Sequence, residues 1–388
     1  MTEHSKGLIR DLTLRIILTE KGINFFIKHN KKLNRFRMAD DQEEYGISLD
    51  TFAPLSVQRM LLIDYISKIE ISRAEFISKR QEVMDLTKLI VYGILYKQLD
   101  MSIYKKILDS TLIKNWNRNN PGSIIDERTH INETYLEKVI KDNELQVNSV
   151  KQTLLSPILT RINSDNNLLP EEKQLRYFIC EKFLNTLRPS IWFILSRFKT
   201  SKDYLFLLTD IREVLYEFLQ KTKIAEYLSL MIMELVSNAE NTNMQKFVKK
   251  TYKDNINLES LVTDQQMRNK VIKEMKEKKD YLYLTWKIGG KSSSISSRYR
   301  LQVILYNRES EYRQVKQLID DTKGINLKKK SLTDFYRESP DKLINTELGL
   351  YYLSYLSEAC EKVNVRFDSV VNQIVKSDLT VITLNLFF

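Results

Sequence analysis

Residues 281–307 read YLYLTWKIGGKSSSISSRYRLQVILYN. Tyr281–Ile288 and Leu301–Tyr306 are runs of β-formers, and GGKSSSISSRYR between them is a loop, so the stretch predicts two strands. Val303, Leu305 and Asn307 follow the two-residue period of a strand and therefore share one face. Towards the C-terminus come a helical run over Ser310–Asp320, a basic loop, a helix over Thr346–Lys362 and two more strands, Val365–Val371 and Leu379–Leu386. Upstream, a long helix of about Ile224–Asn241 carries the apolar stripe Ile224, Leu228, Met231, Leu235 and Ala239, and an insertion around Tyr252–Asp280 separates it from the first strand. This order predicts an α/β sandwich, a mixed sheet with helices on one face.

The rest of the chain reads as helical. Residues 7–30 and 55–110 have apolar residues at three- and four-residue spacing, among them Leu61, Leu62, Tyr65, Ile69, Leu86, Ile90 and Ile94, with a polar loop over Met38–Tyr45. The clearest break is Asn115–Gly122 (NWNRNNPG), a cluster of poor helix formers ending in Pro-Gly. Helices resume over 132–160 and again over 171–220, interrupted at Pro189. The fold class expected is α+β, with an N-terminal helical domain (1–120), a helical connecting or dimerisation region (121–220) and the sandwich (221–388).

A chain of 388 residues exceeds one ordinary core, in keeping with two or three domains. The formal net charge of +11 raises the question of nucleic acid, but Lys and Glu alternate along most helices. The densest basic runs, Lys249–Lys250, Lys276–Lys279 and Lys328–Lys330, lack interleaved aromatics, and a solvated surface is the reading taken. Cys180 and Cys360 lie in apolar helical patterns and are expected as buried thiols of a reducing compartment. Two Cys and three His make no metal spacing. Met1–Arg10 lacks a signal-peptide core and no run approaches membrane-span length, so a cytoplasmic protein is expected.

Three pieces of the C-terminal half, in order, resemble the motifs of the GHKL class, the histidine-kinase type of ATPase. Glu234-Leu235-Val236-Ser237-Asn238-Ala239 resembles its E-x-x-x-N-A helix; Glu and Asn four residues apart share a helix face. The resemblance implies that Glu234 orients or activates a group near the γ-phosphate of ATP, and that Asn238 ligates the bridging Mg²⁺, a cation that prefers oxygen ligands. A basic residue often follows in the family; here Glu240-Asn241-Thr242-Asn243 stands there. Asn307, at the end of the second strand, stands where the family has an adenine-binding Asp, with Arg308-Glu309-Ser310 replacing the glycines. A second frame puts Asp320 in that role, within Asp320-Asp321-Thr322-Lys323-Gly324-Ile325. Asp334-Phe335-Tyr336-Arg337 followed by Thr346-Glu347-Leu348-Gly349-Leu350 is similar to the FYR and GTGLGL boxes of histidine kinases, which implies that Gly349 and Leu350 contact nucleotide through backbone N–H groups at a helix start. Asn345 and Glu347 replace the other glycines, and a Glu there repels phosphate.

The resemblance, which covers roughly residues 220–388, implies a cytoplasmic signalling or regulatory protein of weak or lost catalysis, acting through nucleotide or protein binding. Protein partners and self-association fall to the helical half. One alternative is an active kinase with His130 as phosphoacceptor; His4 and His29 are terminal or at a basic helix end. The other is a basic helical nucleic-acid-binding protein.

Overall fold

A computed structural model describes residues 10–128, 132–166, 168–252, 264–289, 299–307, 348–374 and 379–388. His130, the Ser310–Asp320 run with Asp320, the Lys328–Lys330 run and the Asp334–Arg337 motif lie outside them.

Strands β1 (Leu14–Leu18), β2 (Asn34–Arg37), β3 (Glu43–Leu49) and β4 (Ile66–Arg73) come from the first ninety residues, with helices α1 (Glu20–Lys28) and α2 (Pro54–Leu62) between them. Strands β5 (Leu282–Gly289), β6 (Arg300–Asn307), β7 (Arg366–Ile374) and β8 (Leu379–Phe387) come from the last hundred or so. They form one sheet in the order β2-β3-β1-β4-β5-β6-β8-β7.

Two expectations are corrected. Residues 7–30 and 55–110 are not continuous amphipathic helix: each contains a strand. Leu12, Leu14, Ile16 and Leu18 alternate, as do Ile69 and Ile71 against Lys68 and Glu70, and burial on a sheet selects that two-residue period over the helical one. Asp64, at φ 60, ends α2 just before β4. The sheet is also antiparallel at every described pairing, not mixed. Four of its pairings join strands consecutive in sequence, β2/β3, β4/β5, β5/β6 and β7/β8, and in all but β4/β5 the connection is a short return.

The chain forms two compact units. One combines the described residues up to Val91 with those from Lys223 onward; the other spans Tyr92–Thr222. The division passes within helix α3 (Arg80–Asp109); of the expected Asn115–Gly122 break, Asn115–Asn119 are the end of helix α4 (Thr111–Asn119) and only Asn120–Gly122 leave it, all inside the second unit. Six residue pairs join β4 to β5, from Lys68↔Lys287 to Arg73↔Leu282, so the N-terminal strands and the C-terminal sandwich share one set of backbone hydrogen bonds.

In the first unit, helix α10 (Lys223–Tyr252) lies on the sheet. Ile232, Leu235 and Val236 meet Leu284 of β5, Val303 and Leu305 of β6, and Ile382 and Leu384 of β8 around an apolar gap of about 10 Å³. A gap of that size holds at most one water, so no ligand sits beneath the middle of α10. Trp286, Leu301 and Leu386 complete this buried layer. Helix α11 (Gln265–Glu277) packs Val271, Ile272 and Met275 on Met244, Phe247 and Val248 of α10 and on Ala74, the residue after β4. Helix α12 (Leu348–Lys362) packs on α10 and β7.

The second unit is helical: the rest of α3, α4, α5 (Glu133–Asp142), α6 (Glu144–Ser164), α7 (Pro170–Thr186), α8 (Pro189–Arg197) and α9 (Tyr204–Lys221). Asp100 accepts the Arg188 backbone N–H (2.7 Å) and its Nε–H (2.6 Å), which secures the start of α8 beside Pro189. Cys180 and Cys360 are buried free thiols, and burial pushes each up to about 12. No helix among the described residues is long and apolar enough to cross a membrane.

Candidate functional site

Successive residues of a helix turn by about 100°. On α10 the sheet-facing stripe runs through Ile232, Leu235, Val236 and Ala239. Glu234 and Asn238 then lie on another flank, where both are half-buried. Tyr227, two turns before Glu234 and three before Asn238 on that flank, stacks on Tyr355 of α12 with ring centroids 6.0 Å apart, so this is the side against which α12 packs.

The two helices run in opposite directions. The C-terminal turns of α10 pack on Ala74, next to the strand ends at Arg73, Leu282 and Asn307. The C-terminus of α12 leads within a few residues to Arg366, which pairs with Phe387 at the other end of the sheet. Gly349 and Leu350 stand in the first turn of α12.

Glu234 pairs with the Arg80 guanidinium at 3.6 Å. Burial raises its carboxyl above the ordinary value, and Arg80 pulls it back in part. The backbone carbonyl of Asn238 accepts from Thr242 Oγ1 at 3.0 Å. Asn307 is buried at the end of β6, 3 % exposed, opposite Thr380 of β8, and its parity with Val303 and Leu305 sets it on the face that α10 covers. Among the described residues no group of three His, Cys, Asp or Glu is arranged to hold a metal ion.

Two clusters had no signature in the sequence. Glu240 is fully buried and accepts the backbone N–H groups of Phe76 (2.6 Å) and Ile77 (3.4 Å) as well as an Arg268 guanidinium N–H. Arg268 also reaches Glu75 (3.4 Å) and Asn241 (3.3 Å). Its partners lie nearly 30 and nearly 200 residues away in the chain, so spacing could not reveal them. Removing one member of such a buried pair costs about 3–5 kcal/mol, which marks this cluster as a structural lock.

The second cluster sits on the opposite sheet face. Glu70, 1 % exposed, accepts from Arg15 (3.2 Å), the Ala39 N–H (3.1 Å) and Thr285 Oγ1 (3.2 Å). Lys68, 5 % exposed, meets Glu44 at 2.7 Å and Asp40 at 3.8 Å. Burial raises the Glu70 carboxyl, and the Ala39, Arg15 and Thr285 contacts oppose the shift. The Tyr306 hydroxyl is pushed well above its usual range by burial, and further by Asp40, Glu70 and Glu44. These contacts fasten the turn between β2 and β3 onto the sheet.

The fold thus defines an α/β protein built on one antiparallel sheet with a separate helical unit. The chain belongs to DUF8084, a family of unknown function whose model matches residues 5–388. It is 39% identical over 389 residues to a protein of Treponema pallidum (strain Nichols) named "Uncharacterized protein", an alignment that spans 100% of both chains. No solved structure matches it.

Proposed function

We propose that this chain is a regulatory protein whose α10–α12 and β5–β8 region is a histidine-kinase-like (GHKL) nucleotide-binding module of weak or lost catalysis, acting through nucleotide or protein binding. The reading is supported by the order α10, α11, β5, β6, α12, β7, β8 together with the packing of α12, whose first turn holds Gly349 and Leu350, on the flank of α10 that carries Glu234 and Asn238. Such a helix start offers free N–H groups to phosphate oxygens, and Asn238 on the same flank of α10 supplies an amide oxygen of the kind Mg²⁺ accepts. Asn307, at the strand end on the covered face, suits an adenine amino group through its amide oxygen.

The clause on catalysis rests on three features. Glu234 is engaged by Arg80, Glu347 stands where a phosphate-cradling glycine would serve, and only Gly349 remains of that box. The Arg80 guanidinium occupies the carboxylate that a substrate or water would have to approach. The helical unit, Tyr92–Thr222, is the part to which partner binding or self-association falls in this reading.

Titration of the whole chain with labelled ATP and Mg²⁺, beside a hydrolysis assay, tests the proposal. The expected result is saturable binding that Asn238→Ala weakens at least tenfold, a loss of about 1.4 kcal/mol, with negligible turnover. No binding at millimolar ATP would remove the nucleotide clause. A robust hydrolysis rate abolished by Glu234→Ala would overturn the clause on catalysis.

A further inference from the structure

The sheet-facing stripe of α10 changes character along its length. Ile232, Leu235, Val236 and Ala239 are apolar; the following positions of the same stripe are Asn243, Lys246 and Lys250. The change falls where α10 reaches Ala74 and the strand ends, so the last three turns of this face no longer cover apolar sheet. They line a cleft of about 620 Å³ with Phe247 and Thr251 of α10 and Lys278 and Asp280 from the end of α11.

Two of the three densest basic runs of the sequence, 249–250 and 276–279, thus meet across one cavity. Asn243 is buried, at 7 % exposure, and Lys246 is half-buried, whereas Lys250 and Lys278 are exposed. Lys278 Nζ lies 3.4 Å from Thr251 Oγ1 and 4.6 Å from the Phe247 ring centroid, which holds its ammonium at the cleft wall. Lys246 and Lys250 stand one turn apart on one helix face, so both ammonium groups can reach a single anion in the cleft. Among the described residues that line the cleft, three carry ammonium groups and one, Asp280, a carboxylate.

We propose that this cleft binds a soluble small molecule bearing two or three phosphate groups. The charge calls for an anion, and lysine is a strong point-charge binder of phosphate. The volume is that of a small-ligand site, and among the described residues the walls hold one aromatic ring, Phe247, not the row on which a nucleic-acid strand stacks. Asn243 and Thr251 add hydrogen-bonding groups that bulk counter-ions do not need. The inference does not rest on the histidine-kinase-like reading, which uses Glu234, Asn238, Asn307 and the start of α12.

Calorimetric titration of the full chain with inorganic triphosphate at 0.15 M salt, with sulfate as the control anion, tests it. Triphosphate is expected to bind at one site and sulfate not to compete. Lys246→Gln with Lys250→Gln, and separately Lys278→Gln, should each weaken binding by roughly tenfold or more, the loss of one or two charge-assisted contacts. Lys250 and Lys278 are exposed, so these variants are expected to keep the native melting temperature, and Lys250→Gln alone serves if the double variant does not fold. No binding at millimolar triphosphate, or binding indifferent to all the lysine variants, overturns the proposal. Preference for a single-stranded RNA 12-mer, lost through the same lysines with a steep salt dependence, overturns it in favour of nucleic acid. Triphosphate binding that needs the lysines but not Asn238 upholds the cleft even if the nucleotide module fails; ATP binding that needs Asn238 but not the lysines does the reverse.

Discussion

Glu70 carries the clearest consequence at the scale of single residues. Its carboxyl is raised by burial in the native chain and returns to the ordinary value, 4.5, on unfolding. Between those two values the native state holds more protons than the unfolded state, so stability falls as pH rises from about 4.5. Gln in its place has no proton to lose and keeps acceptor capacity for Ala39 and Thr285. Urea denaturation at pH 4.5 and pH 8 should therefore show the native chain losing ground to Glu70→Gln as pH increases. If the native chain gains instead, the Arg15 ion pair outweighs desolvation and this account fails. The same scale shows why the candidate site was half legible. Glu234 and Asn238 sit four apart on one helix, and Asn307 ends a strand, both local facts. Arg80 beside Glu234 and Arg268 beside Glu240 come from elsewhere in the chain, and no spacing announces them.

At the scale of elements, α1 shows tertiary contact overriding propensity. Gly22 lies in its first turn, capped by Thr19 Oγ1. Alanine in a helix is ordinarily better than glycine by up to about 1 kcal/mol. Here a Cβ on residue 22 would stand 2.6 Å from the Tyr65 carbonyl oxygen, a backbone atom that also accepts the Thr19 N–H at 2.9 Å. Gly22→Ala is expected to destabilise by roughly 1–3 kcal/mol, as overpacking does. A raised urea midpoint for that variant would show the close approach to be absent. Elements also mark where reading failed. The C-terminal strands stood out because their apolar runs are short and bounded by turns. Strands β1 and β4 did not, because Leu61, Leu62, Tyr65 and Ile69 imitate a helical stripe that in fact joins the end of α2 to the start of a strand.

For the molecule as a whole, the β4–β5 pairing decides what can exist alone. A fragment of residues 221–388 keeps every motif of the resemblance but loses β4, leaving the edge of β5 unpaired over Leu282–Lys287. An open edge of this kind invites pairing with another chain. The fragment should aggregate and show no cooperative melt by circular dichroism and gel filtration. A monomeric fragment with a sharp transition would mean that β1–β4 are an accessory to the C-terminal half.

The sequence by itself determined the long helix around Glu234, the strands near 284, 303, 370 and 383, the helical middle of the chain and the burial of both cysteines. These follow from periodicity and residue type within a few turns. Tertiary structure alone decided that the N-terminal ninety residues add four strands to the C-terminal sheet, that Glu240 is locked by Arg268, and that two lysine runs face one cleft. Such outcomes depend on which distant surfaces meet when apolar area is buried, and a pattern confined to a short window holds no record of that meeting.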